Sequence, residues 1–206
     1  MREAPGKYWT SIELTIAQDR LFESICRELV GSADYEGEVR ARFDHLVFLL
    51  VKFVSDRMDA EGARFSYLRT VPTGSDLPME AELQEDLNSF LTSADFPAQE
   101  RRNVAAGRTD IVLDYRRFRF VIEVKRETDN WSNSSMRAYI NQSSAYQQTD
   151  VRLGVLAVLD LTDRPSGVPH LDQAISVVRR AVENEPERTV VLLRIPGNRR
   201  KPSGGT

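Results

Sequence analysis

Residues 107–125, Gly107-Arg-Thr-Asp-Ile-Val-Leu-Asp-Tyr-Arg-Arg-Phe-Arg-Phe-Val-Ile-Glu-Val-Lys125, constrain the fold more tightly than any other stretch. Folded as a β-hairpin with its turn between Arg116 and Arg117, the stretch pairs residues whose numbers sum to a constant, and its side chains alternate between two faces. One face then collects Tyr115/Phe118, Leu113/Phe120, Ile111/Ile122 and Thr109/Val124. The other collects Asp114/Arg119, Val112/Val121, Asp110/Glu123 and Arg108/Lys125. A slip of one residue would scatter the apolar set over both faces, so the pattern selects its own register. Arg-Arg is a poor type I′ pair, and a four-residue loop over 115–118 is an equal alternative that keeps the same pairing.

This register makes Asp110 and Glu123 direct cross-strand neighbours, with Cβ atoms roughly 4.5–5.5 Å apart. Lys125 follows two residues on, on the same face. Two carboxylates that close repel, which raises one pKa unless a cation lies between them. Hard oxygen donors of this kind suit Mg²⁺ or Mn²⁺. A neighbouring ammonium can orient an attacking water or stabilise developing phosphorane charge. Glu-x-Lys alone is common on half-solvated strands, so the shared face is what gives the trio weight.

The whole chain sets bounds. Its 206 residues suffice for one good core, or for a core plus a small helical appendage. A net charge of −3 and a pI near 5.6 lack the global basic signature of a passive nucleic-acid coat, while leaving room for a local basic patch around an acidic site. Cys26 is the only cysteine, which excludes an intramolecular disulfide framework and a thiolate zinc cluster. With only His45 and His170, little is left for a histidine metal site. The polar start Met1-Arg-Glu-Ala-Pro-Gly has no apolar region after it, and the longest apolar run, 46–54, contains Lys52 and is too short to span a bilayer. A cytoplasmic, reducing setting without membrane attachment is therefore expected.

Taken in order, Thr10-x-x-Glu13 reads as a capping box opening a first helix to about Val30. Gly31-Ser-Ala-Asp breaks it, and a second helix covers 38–59 with a very wide apolar face. Cys26 and His45 read as packed residues. Residues 61–78 read as a connector, with a boundary near 72. A third helix, 79–91, carries Leu83, Leu87 and Leu91 on one face. Glu80 shares that face and would point toward the sheet; Glu82 and Glu85 are its rivals. A strand near 99–104 leads into the hairpin. A helix is expected over 136–147 with Tyr139, Gln142 and Tyr146, a doubly buried strand over 151–161, an amphipathic helix over 171–182 and a last strand over 189–195. The basic end, 198–206, reads as a disordered tail. The order α-β-β-β-α-β-α-β implies an α/β sandwich with a mixed sheet.

With Gly107-Arg-Thr-Asp110, then Glu123-Val-Lys125 closing the next strand, then Gln142-x-x-x-Tyr146 on the following helix, the chain resembles the PD-(D/E)xK phosphodiesterase superfamily. The third element looks like the Gln-x-x-x-Tyr signature of its RecB-like branch. The likeness covers roughly residues 79–160, and Thr109 stands where the pattern has proline. It implies a restriction-endonuclease-like, three-layer core with a central mixed β-sheet flanked by helices over 73–197, preceded by an N-terminal helical extension over 1–72. It implies that Asp110, Glu123 and the Val124 carbonyl hold Mg²⁺ (or Mn²⁺), that Lys125 positions the attacking water, and that Gln142 and Tyr146 contact the substrate backbone or brace the site. A helix glutamate, best Glu80, would complete it. Arg108 and Arg126 flank the trio as phosphate contacts. The expected activity is a metal-dependent nuclease cleaving DNA to 5′-phosphate and 3′-hydroxyl ends, with the N-terminal helices serving a homodimer or a partner protein. The alternatives are a nuclease-like module without catalysis, serving binding or assembly, and cleavage of RNA or a small nucleotide.

Overall fold

The computed structural model describes residues 13–60, 64–72, 74–94, 98–101, 110–129, 131–132, 136–139, 151–163, 169–182 and 185–198. Three helices, α1 (Ile16–Leu29), α2 (Gly37–Asp59) and α3 (Glu80–Ser93), precede six strands. These are β1 (Ala98–Arg101), β2 (Asp110–Asp114), β3 (Arg119–Glu127), β4 (Leu153–Asp160), β5 (Ile175–Val182) and β6 (Glu185–Pro196). They form one mixed sheet in the order β1-β2-β3-β4-β6-β5. The β1/β2, β2/β3 and β5/β6 pairs are antiparallel; β3/β4 and β4/β6 are parallel. The protein is therefore α/β, with helices packed on a mixed sheet, and no helix among the described residues is long and apolar enough to cross a membrane.

The hairpin register is the one its apolar pattern selects: Ile111 faces Ile122, Val112 Val121, Leu113 Phe120 and Asp114 Arg119. Ile111, Leu113, Phe118, Phe120, Ile122 and Val124 all enter the main core with the helices. Phe43 of α2 meets Phe120 edge to face at 5.0 Å, both fully buried, a contact whose loss to alanine costs about 3–5 kcal/mol. The wide apolar face of α2 is consumed by the chain's own core: Phe43, Leu46, Val47, Leu50, Phe53 and Val54 are all buried. Arg57 at its end is clamped by both carboxylate oxygens of Asp86 on α3 at 2.7 and 2.9 Å and lies 4.1 Å over the Phe53 ring. Satisfied on both its charge and its flat face, the guanidinium can stay buried.

Two expected elements need correction. The first helix begins at Ile16, because Thr15 and Gln18 form the capping box that Thr10 and Glu13 were expected to make; Glu13 and Leu14 are not helical. Gln18 also reaches Ser55 of α2 at 2.9 Å, which gives this later box a tertiary anchor. The larger correction is 171–182. Only Leu171–Gln173 is helical, as a 3-10 turn, and Ile175–Val182 is β5, the edge strand paired with β6. Ile175, Val177, Val178 and Val182 are β-branched, and a short hairpin to β6 offers them a ladder that a lone helix would forgo. Arg179 on this strand donates to the carbonyls of Glu28 and Val30 at 2.7 and 2.8 Å, capping the end of α1 with a cation. Asn198 is bonded to Val71 and Leu161, so the first residue of the basic tail is anchored; 199–206 lie outside the described residues.

Candidate active site

The second face of the sheet carries the charge. Alternation along β3 puts Glu123, Lys125 and Glu127 there, away from the helical core. All three are buried, and the Lys125 ammonium lies 2.7 Å from Glu123 Oε1, with the side chains 8% and 1% exposed. Leu156 and Val158 of β4 stand beside them in register, and Met136, Val190 and Leu192 close a small apolar cluster around that pair. The ion pair therefore sits in a poorly solvated wall, where breaking it is costly and its geometry is held firmly. The β2/β3 ladder ends at Ile111/Ile122, and one further step of it would set Asp110, the first residue of β2 and the partner of Arg101 on β1, opposite Glu123. The side chain of Asp110 lies outside the described residues, as do Arg108, Gln142 and Tyr146. Among the described residues no group of three His, Cys, Asp or Glu side chains forms a metal cage.

Val124 turns its side chain into the helical core, while β3 runs on past its last β2 partner and pairs with β4 from Ile122 to Glu127. Of the three helix acids, Glu82 is committed to the start of α3, accepting the Met79 amide at 2.8 Å, and Glu85 is exposed. Glu80 is half-buried and close enough for its charge to bear on the Tyr139 hydroxyl, so it is the acid on the side of the charged row. Arg126 points to the helical side and donates to the Pro78 carbonyl at 2.9 Å, which ties β3 to the lead-in of α3. Its expected place at the phosphate is thus corrected: the alternation that puts Lys125 on one face puts Arg126 on the other.

Several residues of this face escaped the sequence reading as site residues. Glu127 accepts the Asp129 amide at 3.0 Å and approaches the Tyr139 hydroxyl at 3.4 Å, and that hydroxyl donates to the Arg126 carbonyl at 3.2 Å. Burial first, then the charges of Glu127, Glu80 and Asp129, push the Tyr139 phenol up, so it remains a neutral donor. Across the parallel register from Glu127 lies Asp160, fully buried, which accepts from Thr162 at 2.6 Å and from Arg194 Nε at 2.7 Å. The Arg194 guanidinium is 4.2 Å from the Trp131 ring. Lys125, Glu127, Asp160 and Arg194 thus line the carboxyl ends of the three parallel strands, where open α/β sheets bind ligands. The signals were legible: Glu127 is two residues beyond Lys125, and Asp160 is the one acid in an otherwise apolar strand.

No protein-family model matches the chain, and no curated protein or solved structure matches it.

Proposed function

We propose that this chain is a metal-dependent nuclease of the PD-(D/E)xK kind, with a restriction-endonuclease-like core, acting on the phosphodiester bonds of DNA. The observation that carries the reading is the buried Lys125–Glu123 pair, beside a hairpin register that, continued by one residue, would bring Asp110 opposite Glu123. A carboxylate and an ammonium held out of water on a sheet face are costly, and stable folding alone is served as well by apolar residues of similar volume. Support also comes from the run α3-β1-β2-β3, then helical residues 136–139, then β4 parallel to β3, which is the element order the resemblance expects.

The donor set fits a divalent cation: Asp110, Glu123 and the Val124 carbonyl would hold it, all through hard oxygens. When bound, such an ion neutralises phosphate charge and acidifies water. The chain's own residues do the rest. Glu123 fixes the ammonium of Lys125, which orients the attacking water and offsets charge building on the phosphate. Glu80 and Tyr139 border this row, the phenol as a donor held by the Arg126 carbonyl and Glu127. Gln142 and Tyr146 complete the reading as backbone contacts.

The test is Mg²⁺-dependent cleavage of plasmid and linear DNA by wild type, Asp110→Ala and Lys125→Gln. Cleavage by wild type that both substitutions abolish supports the assignment; equal activity in all three refutes it. The non-catalytic assembly reading loses one of its motives, since the apolar face of α2 is already covered within the chain.

A further inference from the structure

We propose that the tip of the β2–β3 hairpin, through Arg116, Arg117 and the neighbouring Arg42, docks the phosphate backbone of duplex DNA at the end of β3 remote from the Lys125 row; this rests on the nuclease reading above. In a chain of net charge −3, the tip gathers Arg42, Arg116, Arg117 and Arg119 around Asp114. Arg116 and Arg117 are exposed, and Arg42 lies with its guanidinium 5.4 Å from the Tyr115 ring centroid, which brings α2 to the same end of the sheet. Among the described residues none of Arg42, Arg116 and Arg117 forms an ion pair.

The turn itself supplies an independent observation. Arg116 has a φ of 65°, in the left-handed region, where turn chemistry favours glycine, asparagine or aspartate. Its amide is held by the Asp114 carboxylate at 3.0 Å, and the Tyr115 amide donates to the Phe118 carbonyl at 3.0 Å beneath a stacked Tyr115–Phe118 pair. The loop is thus rigidly built, yet its most demanding position carries a long cation that makes no ion pair among the described residues. Local rules broken in this way mark functional positions. Geometry gives the range. Arg119, where β3 leaves the tip, precedes Lys125 by six residues, about 20 Å of strand, or roughly six base pairs of duplex at 3.4 Å each. Forked guanidiniums at that distance suit successive phosphates and carry no sequence preference.

The probe is a fluorescein-labelled duplex of about 20 base pairs, titrated by anisotropy in EDTA between about 50 and 200 mM KCl. The chains are wild type, Arg116→Glu/Arg117→Glu and Arg116→Lys/Arg117→Lys, each checked for an unchanged melting profile. The charge-reversed variant is expected to bind about tenfold more weakly at mid-range salt, with a log–log salt slope shallower by about 2, while the lysine variant keeps the wild-type slope. Equal slopes in all three chains, or no duplex binding by wild type, overturns the proposal. Displacement of the duplex by polyglutamate as readily as by unlabelled DNA also overturns it, in favour of an acidic polypeptide partner. Cleavage is scored separately with Mg²⁺: a changed slope without cleavage leaves the docking surface standing and removes the nuclease reading, whereas cleavage with an unchanged slope does the reverse.

Discussion

Lys125 and Glu123 stand two residues apart on β3 and touch, Nζ to Oε1 at 2.7 Å, in a wall that leaves the carboxylate side 1% exposed. Adjacent alternate positions on a strand share a face, so the pair follows from the local chain alone. Its burial follows from the parallel strand β4 and Met136. Removing either partner should be destabilising by about 3–5 kcal/mol, because the other charge stays in the same poorly solvated place. Urea unfolding of Lys125→Met, Glu123→Leu and the double variant checks this: the double variant should recover most of the loss. Additive losses would mean that the two groups are not coupled.

His45 on α2 is half-buried, and burial followed by the charge of Arg42 lowers its pKa to about 4. The unfolded chain takes up this proton near pH 6.5, the folded chain only near 4. In that window the unfolded state binds more protons, so stability should fall as pH falls, by up to about 1.4 kcal/mol per unit. Unfolding midpoints at pH 7 and 5 for wild type and His45→Gln measure it; the variant should lack this share of the pH dependence.

Cys26 lies 3.7 Å from an Asp44 oxygen, and burial together with that carboxylate raises its thiol to about 12. Only about one thiol in ten thousand is then ionised at pH 8, and the thiolate is the reactive form. A disulfide reagent should modify the folded chain at least about a hundredfold more slowly than the urea-unfolded chain, and Asp44→Asn should speed the reaction. Equal rates folded and unfolded would contradict the placement of Cys26.

Arg116 sets stability against binding. Asparagine tolerates the left-handed region, so Arg116→Asn should raise the unfolding free energy by about 1 kcal/mol. The same change should weaken duplex binding. Thermal melts and anisotropy on one preparation check both signs; a variant that loses stability would show that Arg116 makes contacts the fold needs.

The hairpin was legible because alternation in 110–123 separates Ile111, Leu113, Phe120 and Ile122 from Asp110 and Glu123, and one register alone buries the first set. The continuous apolar run of β4 was equally plain. β5 was not, since Leu171, Ile175, Val178 and Val182 recur at three- and four-residue intervals that suit a helix as well as a strand. The pairing with β6, a non-local contact, decided between them. The Lys125–Glu123 contact could be expected from spacing, whereas Glu127 and the Asp160–Arg194 pair come together only through the parallel β3–β4–β6 register. Strand alternation also separates Arg126 from Lys125, a consequence available from the sequence that proximity to the motif obscured.

We propose that acids from two adjoining strands hold one divalent cation beside Lys125. Calorimetric titration of the metal-free chain with Mn²⁺ tests it most directly, against folded Asp110→Asn as the comparison. One site per chain in wild type, lost in the variant, is the result expected here. No binding by wild type, or undiminished binding by Asp110→Asn, would contradict it.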